Sequence, residues 1–285
     1  MNPALWGLLA AAGWGSADFI ARFTGVALGH RNALLGMLSF GALVLSLIVW
    51  QAGLPLTFDL DGLWLLFVSG VGTMLGTMLL YWGLARGPVT VVAPIVGSFP
   101  AFNLVIGLLR GIRPGVLQWI AMGAVMCGVV AVALAGAGEE RRRAYSREHV
   151  RRSALLALGS ALIFAFTLTA IQEAMPIYGE LQTVMAVRWI SLLAIALLFL
   201  ARRETPRVSV SYLPLIAAQG LLDGGAYVAL LLGSHGEGAA IAVVVGSAFS
   251  AVTVLLARAF LNEAMGRLQW GGIAFIVTGV AVLSA

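Results

Sequence analysis

Lysine is absent from this 285-residue sequence: all 17 basic residues are arginine, set against 12 acidic ones, and charged side chains make up only 10% of the chain. Soluble domains are about 25% charged and roughly 45–50% apolar. Here the apolar share is 61% and the mean hydropathy +1.00. That leaves too little polar surface to wrap a water-soluble fold, so most of the exterior must face hydrocarbon. The arginines form no stripe interleaved with aromatics, which excludes the footprint of a nucleic-acid binder despite a pI near 10.1. A single cysteine, Cys127 in an apolar run, excludes an intrachain disulfide and any multi-cysteine zinc or redox centre. There is no His-x-x-x-His pair, no Asp-rich phosphoryl-transfer motif, no P-loop and no G-x-S-x-G elbow. No cofactor, metal or catalytic residue is therefore expected. Met1-Asn2-Pro3-Ala4-Leu5-Trp6 has no basic start, and Asp18 interrupts the apolar run that follows, so no removable signal peptide is expected either.

What remains is long apolar runs. A helix needs about 20 apolar residues to cross a ~30 Å core. Such spans can be drawn ten times: 4–24, 32–50, 62–85, 89–108, 115–136, 153–173, 181–201, 212–232, 239–260 and 268–284. The chain reads as an all-α integral membrane protein of ten transmembrane helices. An Arg-rich stretch, 138–152, divides a first unit of five helices (1–137) from a second (153–285). Arginine in short loops stays in the cytoplasm. Arg22, Arg31, Arg86, the six linker arginines, Arg202, Arg203, Arg207, Arg258 and Arg267 fall on one side; Arg110 and Arg113 fall on the other. This bias places the linker in the cytoplasm and both termini outside, in a bacterial inner membrane.

The halves repeat. Leu65, Gly70 and Gly83 match Leu215, Gly220 and Gly233 at an offset of 150; Gly97-Ser98 matches Gly246-Ser247 at 149; Gln118-Trp119 and Gly128 match Gln269-Trp270 and Gly279 at 151. With five spans per half, the second copy enters the membrane upside down, an arrangement common in secondary transporters. Two inverted five-helix repeats around a central cavity are expected, and a monomer supplies both cavity walls.

In-span polar groups should face a wet cavity or one another. Ser69, Thr73, Thr77 and Tyr81 recur every four residues on span three, and Gln219, Asp223 and Tyr227 form the matching stripe on span eight. Asp18, Arg188 and Asp223 are the in-span charges. Asp18 stands one turn from Arg22, a spacing that suits a pair. Arg188 and Asp223 have no local partner and are predicted to meet, as a fixed pair or as one that substrate carboxylate and ammonium exchange into. Pro94 and Pro100 flank Gly97-Ser98 in span four and predict a bend or hinge there; span nine has Gly246-Ser247 without proline, so the halves need not flex alike. Gly72-x-x-x-Gly76 and Gly83-x-x-x-Gly87 read as close helix packing.

Trp14-Gly15-Ser16 with Phe19, and Leu261-Asn262-Glu263 through Gln269-Trp270-x-Gly272, resemble the opening and closing signatures of the drug/metabolite transporter superfamily in its ten-span EamA-type branch. Asn262 stands in a Gly position of that signature, and the first half carries Leu109-Arg110-Gly111 where Leu-Gly-Glu would be expected. As a whole the chain looks most like the YddG-type members, which export aromatic amino acids and some cationic toxic compounds. The resemblance implies a secondary transporter working by alternating access on a small amphipathic substrate. In that family spans one, three, four, six, eight and nine line the cavity. They carry Trp14, Tyr81, Phe99, Phe164, Tyr227 and Phe249 here, aromatics suited to stacking and cation–π contact. With Thr73, Thr77, Ser98, Arg188, Asp223 and Ser247 these are the expected substrate contacts. Asp18, Asp223 and Glu263 are the candidate couplers to an ion gradient. Sugars or nucleotide-sugars are the rival substrates, and a channel or membrane-embedded enzyme the rival class.

Overall fold

A computed structural model describes residues 2–57, 59–111, 115–135, 146–233, 239–261 and 266–284. Among them are twelve α-helices and one short 3₁₀ turn, Val210–Tyr212, with no strand. The helices are α1 (Pro3–Leu28), α2 (His30–Gln51), α3 (Leu63–Arg86), α4 (Val89–Val96), α5 (Phe99–Leu109), α6 (Val116–Ala135), α7 (Arg147–Tyr178), α8 (Glu180–Ala201), α9 (Leu213–Gly233), α10 (Ala239–Gly246), α11 (Phe249–Leu261) and α12 (Arg267–Ser284). Among the described residues, six helical stretches are long and apolar enough to cross a membrane: Pro3–Leu28, His30–Gln51, Leu63–Arg86, Glu148–Tyr178, Glu180–Ala201 and Val210–Gly233. Leu47, Phe67, Phe166, Leu193, Leu197 and Leu200 are all exposed, as a hydrocarbon-facing exterior requires.

Local chemistry fixes the helix ends. Asn2 caps α1, its side chain accepting from the Ala4 N–H at 2.9 Å, with Pro3 in the first turn. Single glycines in positive φ, Gly29 (82°) and Gly179 (88°), join α1 to α2 and α7 to α8, each serving as the end of one helix and the start of the next. Helix α7 starts at Arg147, earlier than the expected boundary at 153. Ser146 accepts from the His149 N–H, Glu148 occupies the first turn, and Glu148 pairs with Arg152 one turn on. These polar residues cap and begin a helix, where composition alone read them as linker.

The stretches 89–108 and 239–260 are each divided in two, α4–α5 at Gly97-Ser98 and α10–α11 at Ser247-Ala248. The second break occurs without a proline, so Pro100, in the first turn of α5, is not what such a break requires. The breaks also correct the register. Phe99 and Phe249 open the second segments, so structural equivalence runs at 150, and the Gly-Ser match at 149 is one residue out. The two interrupted helices touch, since a Cβ on Gly97 would stand 2.6 Å from Ser250 Cβ.

Contacts recur at that same offset of 150. A Cβ on Gly220 would meet the Met37 carbonyl (2.8 Å) and Phe40; one on Gly70 would meet the Val187 carbonyl (3.2 Å) and Ile190. Gly233 faces Ala242 and the Pro3 carbonyl, and Gly83 faces Val92 and the Ser153 carbonyl. Thr253 donates to the Gly15 carbonyl (3.1 Å), and Asn103 to the Ala165 carbonyl (3.4 Å). Helix pairing follows suit: α1 packs on α9 as α7 packs on α3, α2 on α9 as α8 on α3, while α2–α8 and α6–α12 pair across the halves. Not every pairing recurs: α1 lies along α3 and α4 along α11, but neither α7 with α9 nor α5 with α10 makes a comparable contact among the described residues.

Candidate functional site

Helices α1, α3, α7, α8 and α9, with the interrupted helices, enclose a chamber in which the centre of a water molecule can range over about 80 Å³. A cavity needs roughly 10–15 Å³ to admit one water, so this chamber can be wet. Trp14 and Asp18 come from α1, Thr77 and Tyr81 from α3, Phe164 and Thr167 from α7, Arg188 from α8, and Asp223 and Tyr227 from α9; Phe99 and Phe249 project from the breaks. Phe164 reaches the chamber across the face of Gly76, where a Cβ would stand 2.8 Å from its ring.

Arg188 is the chamber's fixed cation. Its residue is 1% exposed, its Nη2 pairs with Asp223 Oδ2, its Nη1 contacts Met37 Sδ at 3.8 Å, and its guanidinium lies 4.6 Å from the Tyr227 ring centroid. Pairing, together with a cation–π contact strengthened by desolvation, compensates the removal of this charge from water. The pair stands in one half only: at the equivalent positions are Leu38 and Thr73. Asp18 shares the chamber wall with this pair. Arg22 turns to α3, donating from Nη1 to the Leu84 carbonyl at 2.6 Å, and no Asp18–Arg22 pair is among the ion pairs of the described residues. The final carbonyls of a helix have no partner within it, and Leu84 in the last turn of α3 is one of them.

Aromatic rings line one side in a continuous series. Tyr227 meets Trp14 edge-to-face (5.0 Å, 82°), Trp14 meets Phe249 likewise (6.3 Å, 79°), and Phe249 stacks with Phe99 (6.4 Å, 26°). Beneath them runs a buried hydrogen-bonded chain that ties three helices together. Thr24 donates to Gln219 Oε1 (3.0 Å), and Gln219 Nε2 donates to the Tyr81 hydroxyl (2.6 Å). The Tyr81 hydroxyl is thereby held in place at the chamber wall.

Several expected contacts lie elsewhere. Thr73 is buried but outside the lining, and its hydroxyl, like that of Ser69, has no hydrogen-bond partner among the described residues. A stride of four residues overshoots the helical turn of 3.6, so a four-spaced stripe drifts about 40° per step and Thr73 is carried off the face of Thr77 and Tyr81. Ser98 donates back to the Ile95 carbonyl at 2.6 Å, and Ser247 is fully buried beside the second break. Pro94 is buried inside α4, away from the lining, and Pro100 falls in the first turn of α5. Glu263 lies outside the described residues. Sequence reasoning missed Leu80 of α3 and Val243 of α10, and also Thr167, Leu168 and Ile171 of α7 and Leu230 of α9. The faces on α7 and α9 could have been found by counting whole turns from Phe164 and Tyr227.

A double match to known proteins decides the family: the EamA-like transporter family matches residues 1–134 and again residues 151–285. The chain belongs to the EamA-like transporter family. As a member it is a multi-pass membrane transporter of the drug/metabolite type, and both halves are copies of the family's unit. One solved structure, described only as the crystal structure of a protein, is similar in fold at a TM-score of 0.70 and 18% identity, over 99% of this chain and 97% of its own. No curated protein matches the chain. This EamA-like chain thus carries the family's double unit, with a charged and aromatic chamber where the units meet.

Proposed function

We propose that this transporter exports aromatic amino acids, and flat amphipathic cations of similar size, from the cytoplasm across the inner membrane by alternating access. One observation carries the substrate assignment: a guanidinium–carboxylate pair, Arg188 with Asp223, opens onto the same chamber as the Tyr227–Trp14–Phe249–Phe99 ring series. A zwitterion can replace both partners at once, its carboxylate on Arg188 and its ammonium on Asp223, while its ring packs among the aromatics. Asp18 adds a second carboxylate to one guanidinium, which suits a cationic substrate and makes Asp18 and Asp223 the coupling candidates.

The contacts repeating at 150, with the family unit matched once in each half, support two inverted repeats in ten spans. The unequal pairing supports alternating access. Helix α1 closes on α3 through Arg22 and Gly25, whose Cβ would stand 3.4 Å from Ala85 Cβ, while the equivalent α7 and α9 stand apart. Exchanging those arrangements between the halves closes one end and opens the other. A monomer contains everything this requires.

Uptake of labelled phenylalanine into liposomes holding the purified protein, with and without an imposed pH gradient, tests substrate and coupling together. Saturable uptake blocked by unlabelled tryptophan is expected. Uptake of a sugar or nucleotide-sugar in preference to phenylalanine overturns the assignment.

A further inference from the structure

At the end of the bundle where α1 turns into α2, a second cavity is lined by polar and cationic groups. Water-molecule centres range over about 470 Å³ within it. Arg31, Arg203 and Arg207 converge on it, with Glu204 the only carboxylate among the described residues of its wall. Arg31 Nη1 pairs with Glu204 Oε2 at 2.7 Å, and the Arg207 N–H donates to Asn32 Oδ1 at 3.0 Å, fastening the loop after α8 across the start of α2. Three guanidiniums against one carboxylate leave the site with two positive charges in excess.

The repeat supplies an internal control. At an offset of 150, the partners of Arg31, Arg203, Glu204 and Arg207 are Leu181, Gly53, Leu54 and Thr57. The loop geometry is shared: Gly53 has φ 62° and Arg203 has φ 53°. Arg203 is the only non-glycine residue in positive φ among the described residues. A left-handed backbone brings a Cβ too close to the following carbonyl oxygen, a strain that glycine avoids. The fold therefore asks for glycine at this corner, and one half has it. The other half bears the strain and gains a guanidinium at the cavity. A general preference for arginine on one side of the membrane would be met equally well by an unstrained neighbour, such as Arg202.

We propose that this cavity binds a phosphate group carrying net negative charge, as presented by an anionic phospholipid headgroup at the membrane rim or by a soluble phosphate. Arg203 and Arg207 clasp the phosphate oxygens, and Arg31, held by Glu204, closes the site from the α2 side. The site is independent of the transport chamber and of what that chamber carries.

Thermal unfolding of the full-length protein in detergent, with added phosphatidylglycerol, phosphatidylcholine or inorganic phosphate, tests this alongside native mass spectrometry of the lipid-bound forms. Phosphatidylglycerol is expected to raise the melting temperature and remain bound where phosphatidylcholine does not. Stabilisation by inorganic phosphate alone also supports the site and assigns its source to the soluble ion. Arg203→Gly is the decisive variant: it relieves the strain, so the lipid-free protein should melt at or above wild type while the shift from the anionic ligand falls. At about fivefold in affinity per arginine, Arg203→Gly with Arg207→Gln should weaken binding roughly twenty-five-fold. No shift with either anionic ligand, or a full phosphatidylglycerol shift retained in the double variant, overturns the proposal.

Discussion

The guanidinium of Arg188 lies over the ring of Tyr227, 4.6 Å from its centroid, while pairing with Asp223 one helical turn earlier on α9. One cation thus meets a carboxylate and an aromatic face inside the chamber, the two chemistries an aromatic zwitterion also displays. Removing either member of the pair leaves the other charge buried alone, at a cost of about 3–5 kcal/mol, whereas removing both is close to neutral. Arg188→Met and Asp223→Asn should each lower the melting temperature and protein level, and the double variant should recover much of both. Export should fall at least tenfold in all three, measured per molecule of folded protein. Export at the wild-type rate in the three variants would reduce the pair to a structural role.

The glycines that repeat across the halves give a prediction about packing. Gly70→Ala and Gly220→Ala place a methyl against Ile190 and Phe40 respectively, and each should destabilise by about 1–3 kcal/mol. Gly225→Ala, on the same helix as Gly220 but with nothing within 4 Å of its Cβ, should be neutral or gain up to about 1 kcal/mol in helix propensity. Thermal melts of the three purified variants check the contrast.

Cross-linking tests the closed end. In a Cys127→Ala background, Gly25→Cys with Ala85→Cys brings two Cβ atoms to 3.4 Å, beside the ~3.5–4.5 Å window of disulfides. Oxidation should form the bond, hold α1 against α3 and stop transport; reductant should restore it. Undiminished transport by fully cross-linked protein would mean that the α1–α3 contact does not open during the cycle.

The parts of this structure that the sequence made legible are those where hydrocarbon leaves no alternative. Two unpaired charges on different spans, Arg188 and Asp223, had to find each other. Gly70 and Gly220, at matched positions, mark the same close approach to a neighbouring carbonyl. Less legible were features set by exact rotation or by competition. Thr73 shares a four-residue stripe with Tyr81, yet drift of the helical face removes it from the chamber. Asp18 has Arg22 at pairing distance along α1, but the Leu84 carbonyl at the end of α3 takes that guanidinium. The break at Ser247-Ala248 has no proline to announce it, and its register against Gly97-Ser98 emerges only from where α5 and α11 begin. Arg31, Arg203 and Arg207 read as a topology signal alone, because the left-handed corner that draws them together is a property of the folded backbone.

Calorimetric titration of purified protein with phenylalanine, phenethylamine and phenylpropionate compares the whole substrate with its two halves. The account predicts that phenylalanine binds at least tenfold more tightly than either fragment, and that Asp223→Asn selectively weakens the two ligands bearing an ammonium. Equal binding of all three, or an unchanged preference in Asp223→Asn, would contradict it.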